Sequence, residues 1–182
     1  MQLTKKEKTI KYTVCTLIIL LAALLQNVAG LWFEIGNARC FFLVPAAVSL
    51  GINEDEKTSA FLGLFAGLLW DTVSAQHMGF NCIFLMLVCY ITSALVTYLF
   101  RDTYRISIIS SICASGLYCL LHWLFFIAVP SGKTGVSSLG YFYLPCFIYT
   151  SAMSLVIVWI LREIKSYLNK EYRLEGNDKE GI

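Results

Sequence analysis

The chain has little charge. Asp, Glu, Lys and Arg make up 14% of its 182 residues, against about 25% in an ordinary soluble domain, while 58% are hydrophobic and mean hydropathy is +0.69. So much apolar surface cannot be hidden inside one water-facing fold, which points to an integral membrane protein. The net charge of +2 is too small to hold a polyanion, so no nucleic acid partner is expected. There are only two histidines and three prolines. The HExxH, GxSxG and phosphate-loop patterns are absent, and no catalytic constellation stands out. Neither a cofactor nor a metal is called for. The cysteines number seven, an odd count, and nearly all lie inside apolar runs without CxxC spacing. They read as small, reduced, buried hydrophobes.

What is present is a series of six apolar segments, at roughly 13–33, 40–52, 58–75, 80–100, 106–129 and 139–161. Five approach the ~20 residues that cross a bilayer as a helix. The first is too long and lacks a small-residue cleavage site, so it reads as a retained helix and not a signal peptide. The second is short enough to be re-entrant, and the distribution of basic residues arbitrates. With six crossings and the N-terminus inside, twelve basic residues face the cytoplasm: Lys5, Lys6, Lys8, Lys11, Lys57, Arg101, Arg105, Arg162, Lys165, Lys170, Arg173 and Lys179. Only Arg39 and Lys133 lie outside. Without the second crossing the best division is nine to five. The expected architecture is therefore an all-α, six-transmembrane-helix bundle with both termini in the cytoplasm. Residues 1–12 form a basic arm, 13–161 the membrane domain and 162–182 a cytoplasmic tail. The tail is expected to continue the sixth helix along the membrane surface and to fray after Gly176.

Polar side chains inside hydrocarbon are costly and tend to face the bundle interior. In this topology Gln26, Asn27, Asn81 and His122 share the outer half, with Tyr141 and Tyr143 opening the sixth helix beside them. They form an outer polar cluster, either a set of inter-helix hydrogen bonds or an outward cavity. The third segment is the most patterned. Ser59, Gly63, Gly67 and Asp71 recur every four residues, each step turning about 40° beyond a full turn. Gly63 and Gly67 would let another backbone come close. Asp71 is the sole acid in the apolar body of the chain. A carboxylate there costs about 2.5–3.5 kcal/mol at mid-bilayer and less toward the interface. Gln26, Asn81 and His122 are candidate partners for it. In the fifth segment Ser107, Ser111 and Ser115 mark a packing face. Cys119 and His122 could offer two metal ligands, but without further ligands packing is the plainer reading.

Pro45, the acidic turn after it, and SAFLGLFAGLLWDTVSAQHMGFN together resemble the MreD family of rod-shape-determining membrane proteins. The positions that carry the resemblance are Pro45, Gly63, Gly67, Asp71 and Gly79. Ala46 stands where many members have an Asp. The resemblance implies a non-enzymatic scaffold of the bacterial cell-elongation machinery in the cytoplasmic membrane. It further implies binding to an MreC-like protein and, through it, to MreB filaments and peptidoglycan synthases. The five residues would serve helix packing or partner binding. The family bundle is also similar to the substrate-binding S-components of energy-coupling-factor vitamin transporters, which is the alternative function. Their helix-one alanine pattern is not matched here, since Ala22, Ala23 and Ala29 are not four apart.

Overall fold

The computed structural model describes residues 5–27, 39–52, 54–74, 79–98, 103–129 and 138–179, and almost all of them are helical. The helices are α1 (Lys5–Asn27), α2 (Leu43–Gly51), α3 (Glu56–Ser74), α4 (Phe80–Tyr98), α5 (Thr103–Trp123) and α6 (Leu144–Lys179). A π-helical turn, Leu124–Ala128, extends α5, and another, Leu139–Tyr143, leads into α6. Four helical stretches are long and apolar enough to cross a membrane: Thr9–Asn27, Phe80–Tyr98, Tyr104–Ala128 and Leu139–Ile164. Glu56, Lys57 and Asp71 lower the hydropathy of α3, which has the length but falls outside that set.

The short helix α2 is the axis of the molecule. All nine of its residues are buried, and α1, α3, α4, α5 and α6 all pack on it. Its sequence, LVPAAVSLG, is apolar but for the small Ser49, as suits a helix enclosed on all faces. Pro45 sits in the first turn, where a missing N–H breaks no helical bond. The segment around α2 runs the length of α1 in the opposite sense. Its start is tied to Gln26, whose side-chain oxygen accepts the Leu43 N–H at 2.9 Å. Its far end is tied to Lys11, which forms an ion pair with Glu54. Fifteen helical residues separate Lys11 from Gln26, about 22 Å of rise.

Around this axis α3 and α4 form the most intimate pair, α5 packs on α6, and α1 lies against α2 and α3. The periphery is apolar: Leu17, Leu21 and Leu24 on α1, Phe61 and Val73 on α3, Ile83 and Ile91 on α4, Ile109 and Leu120 on α5, and Ile148 and Trp159 on α6 are exposed. The interior holds the small polar groups, among them Ser59, Ser93, Ser111, Ser115, Thr150 and Ser154. A soluble protein does not expose large apolar side chains on every outer helix in this way.

Two boundaries differ from the sequence reading. α1 begins at Lys5, inside the stretch read as an arm, because Lys and Glu are good helix formers that hydropathy does not register. α6 runs unbroken to Lys179, past Gly176, since a single glycine costs only about 1 kcal/mol in a helix. Ala29, Arg101 and Lys133 lie outside the described residues.

Candidate functional site

One end of the bundle gathers the polar cluster. There the N-termini of two helices are closed by side chains from other helices. Gln26 of α1 closes α2, as described. Asp71, near the end of α3, closes α4: its Oδ2 accepts the N–H of Gly79 and that of Cys82, each at 3.0 Å. These are orphan donors that the first helical turn cannot satisfy itself. A carboxylate is well suited to them because the helix N-terminus carries about half a positive charge. Gly79 has φ +95°, a left-handed conformation that strains any residue with a Cβ. This turn places its own N–H and that of Cys82 on the carboxylate. Asp71 is 3% exposed and Asn81 4%. The Asn81 amide donates to Ser74 Oγ at 3.4 Å.

The glycine stripe lies against α4 itself. A Cβ on Gly67 would stand 2.6 Å from the carbonyl oxygen of Asn81 and 2.7 Å from the nitrogen of Cys82. One on Gly63 would stand 2.9 Å from the carbonyl carbon of Leu85 and 3.0 Å from Cys89 Cβ. Ser59 continues the stripe, its hydroxyl donating to the Cys89 carbonyl at 2.9 Å. Ser59, Gly63, Gly67 and Asp71 thus all meet one neighbour, each by backbone contact or hydrogen bond.

His122 stands elsewhere at the same end. Its Nδ1 lies 2.8 Å from the Tyr143 hydroxyl. The imidazole also belongs to a ring cluster centred on Tyr118, whose ring centroid is 4.8 Å from Trp70, 5.1 Å from Phe41, 5.3 Å from Phe84 and 5.6 Å from His122. The π-helical turns that begin two residues after His122 and end at Tyr143 lie beside this contact; such turns are frequent at functional positions. Asn27 ends α1, half-buried. Cys119 is buried, and no group of three or more metal-ligating side chains converges among the described residues.

The polar residues at this end are therefore not gathered on Asp71. Gln26 goes to α2, His122 to Tyr143, and Asp71 to the α4 backbone. The sequence reading did not find Thr150 and Cys146, which accept the N–H groups of Phe41 at 3.1 Å and Arg39 at 3.2 Å. Nor did it find Gly51, where a Cβ would run into the Ser59 hydroxyl. The glycine in an otherwise bulky apolar run was the available signal for the last. Contacts more than a hundred residues apart leave none.

At the opposite end Lys11 pairs with Glu54, Ser93 Oγ donates to the Glu54 carbonyl at 2.7 Å, and the Arg162 guanidinium lies 4.5 Å over the Tyr104 ring. These contacts tie α1, α4 and the α2–α3 turn together and fasten α5 to α6.

An exterior clothed in large apolar side chains, small polar groups set within the core and four membrane-length helices define a multi-pass helical membrane protein. The chain matches the profile of the family described as rod shape-determining protein MreD over residues 6–167, and it belongs to that family. The family is defined by cell-shape determination and not by a reaction. No curated protein and no solved structure gives a significant match.

Proposed function

We propose that this protein is a membrane scaffold of the bacterial cell-elongation machinery, crossing the cytoplasmic membrane six times with both ends inside. It holds an MreC-like single-span protein and through it joins MreB filaments to peptidoglycan synthases. The family match over most of the chain carries this reading. The six-crossing topology draws support from the tethers of α2, to Gln26 at one end of α1 and to Lys11 at the other. Twelve of the fourteen basic residues fall on the Lys11 side in that topology, which makes it cytoplasmic.

The glycine stripe bears on how such a scaffold docks. Gly63 and Gly67 are occupied by α4, so they serve the bundle, and a partner helix uses other faces. Ala22 and Ala23 are likewise buried, each 7% exposed, and do not offer the small-residue docking face an S-component presents on its first helix. Gentle purification from native membranes tests the proposal. Co-purification of an MreC-like protein is the expected result. A stoichiometric vitamin-like small molecule found by mass spectrometry, with no such protein, would overturn it.

A further inference from the structure

The corner between α3 and α4 holds more acceptor than donor. Asp71 Oδ2 receives two N–H bonds, but Asp71 Oδ1 and Asn81 Oδ1 are both buried and have no hydrogen-bond partner. Both belong to the same corner. The Gly79 and Cys82 N–H groups that hold Asp71 flank Asn81 in sequence, and Asn81 reaches Ser74, one turn past Asp71 on α3. A buried acceptor without a donor is left with its desolvation uncompensated, and here two lie on adjoining helix ends. We propose that this corner binds a small monovalent cation, sodium under extracytoplasmic conditions, with Asp71 Oδ1 and Asn81 Oδ1 as its protein side-chain ligands and water completing the oxygen shell.

The local charge selects the valence. The carboxylate contributes one negative charge. The end of α3 adds about half of one, and the start of α4 offsets it with about half a positive charge. The sum is about minus one. A monovalent ion neutralises it, whereas a divalent ion would leave a buried positive charge that nothing at the corner balances. Oxygen-only ligation by carboxylate and amide suits a hard cation and not a thiophilic metal. The bound ion would clamp the α3 and α4 ends together and make the rigidity of that hairpin respond to the ionic medium on its side of the membrane. This goes beyond the scaffold reading and does not depend on the identity of a partner.

Thermal unfolding of the full chain in detergent or nanodiscs, in sodium chloride and in choline chloride at equal ionic strength, tests the site. The expected result is a saturable rise of roughly 3–6 °C in sodium at about ten times its Kd. Asp71→Asn and Asn81→Val should each abolish that increment. If either fails to fold, Asn81→Asp carries the test, because a second carboxylate should lower the sodium concentration giving half the effect. Equal melting of the natural protein in both salts, as a buried water alone would give, overturns the proposal. So does a sodium increment that persists in Asp71→Asn or Asn81→Val, or an Asn81→Asp protein with unchanged sodium dependence.

Discussion

Cys82 donates its backbone N–H to the carboxylate of Asp71 at 3.0 Å, so the one acid of the apolar body belongs to the start of the next helix. Eleven residues separate the two, yet the bond is that of a helix cap supplied from outside its own helix. This explains how a buried carboxylate persists that forms no ion pair among the described residues. Two N–H donors and the positive end of α4 replace the water it has lost.

Capping and charge are separable at Asp71. Asp71→Asn keeps an oxygen for the two N–H groups, removes the charge and turns the other oxygen into an NH2 group, an expected destabilisation of about 1–2 kcal/mol. Asp71→Ala strands both donors in a buried site, at about 1–3 kcal/mol each. Thermal or denaturant unfolding in detergent should therefore rank natural protein, then Asn, then Ala. Equal loss in the two variants would mean that charge, and not the pair of hydrogen bonds, sets the stability of the corner.

The glycines divide by what a methyl group would strike. At Gly67 the obstacles are the backbone of Asn81 and Cys82, which cannot move aside without separating α3 from α4. Gly67→Ala should cost about 1–3 kcal/mol or more, and no neighbouring side-chain truncation should relieve it. At Gly51 the obstacle is the Ser59 hydroxyl, with Ser59 Cβ at 3.3 Å. Gly51→Ala should thus be destabilising alone and much less so beside Ser59→Ala. A double-mutant cycle read by unfolding checks the coupling, and additive costs would refute it.

Particular residues show what could be read from the sequence and what could not. The four-residue spacing from Ser59 to Asp71 placed those side chains on one helix face, and that face is continuous in the structure because helical periodicity is local. What the face meets is not local. Gly67 against Cys82, Gln26 against Leu43, and Phe41 against Thr150 depend on how whole helices settle on one another. The central place of α2 was equally hidden. Its apolar composition excludes water but does not distinguish contact with lipid from contact with five other helices. The start of α1 at Lys5 was missed because the hydropathy signal that marks a span is silent about polar helix formers.

Lys11 and Glu54 form a pair whose carboxylate partner is buried, with 6% of its side chain exposed against 26% for Lys11. Removing the lysine alone leaves an uncompensated charge, whereas removing both does not. Lys11→Met should destabilise by about 3–5 kcal/mol, and Lys11→Met with Glu54→Gln should recover a substantial part of it. Unfolding of the single and double variants measures the difference. A double variant as unstable as the single one would show that α1 is held by its apolar contacts and not by this pair.

The topology turns on the α2 segment, and the native thiols cannot report it. Cys40 is 4% exposed and Cys146 0%, while Cys113, the thiol exposed among the described residues, sits within the apolar span of α5. Arg39 and Asp55 are better probes, since both are exposed and they flank α2. α2 itself is nine residues long, about 14 Å of rise, which is roughly half the hydrocarbon thickness. In the proposed six-crossing topology its flanking residues make up the rest, in keeping with the tethers to Gln26 and to Lys11, 15 residues apart on α1. Arg39→Cys and Asp55→Cys, each introduced with the native cysteines replaced by Ala or Ser, should then react with a membrane-impermeant maleimide from opposite sides. Arg39→Cys should label in intact cells, and Asp55→Cys only after the membrane is opened. Labelling of both positions from the same side would reduce α2 to a re-entrant segment, and the basic residues beyond it would have to be reassigned across the bilayer.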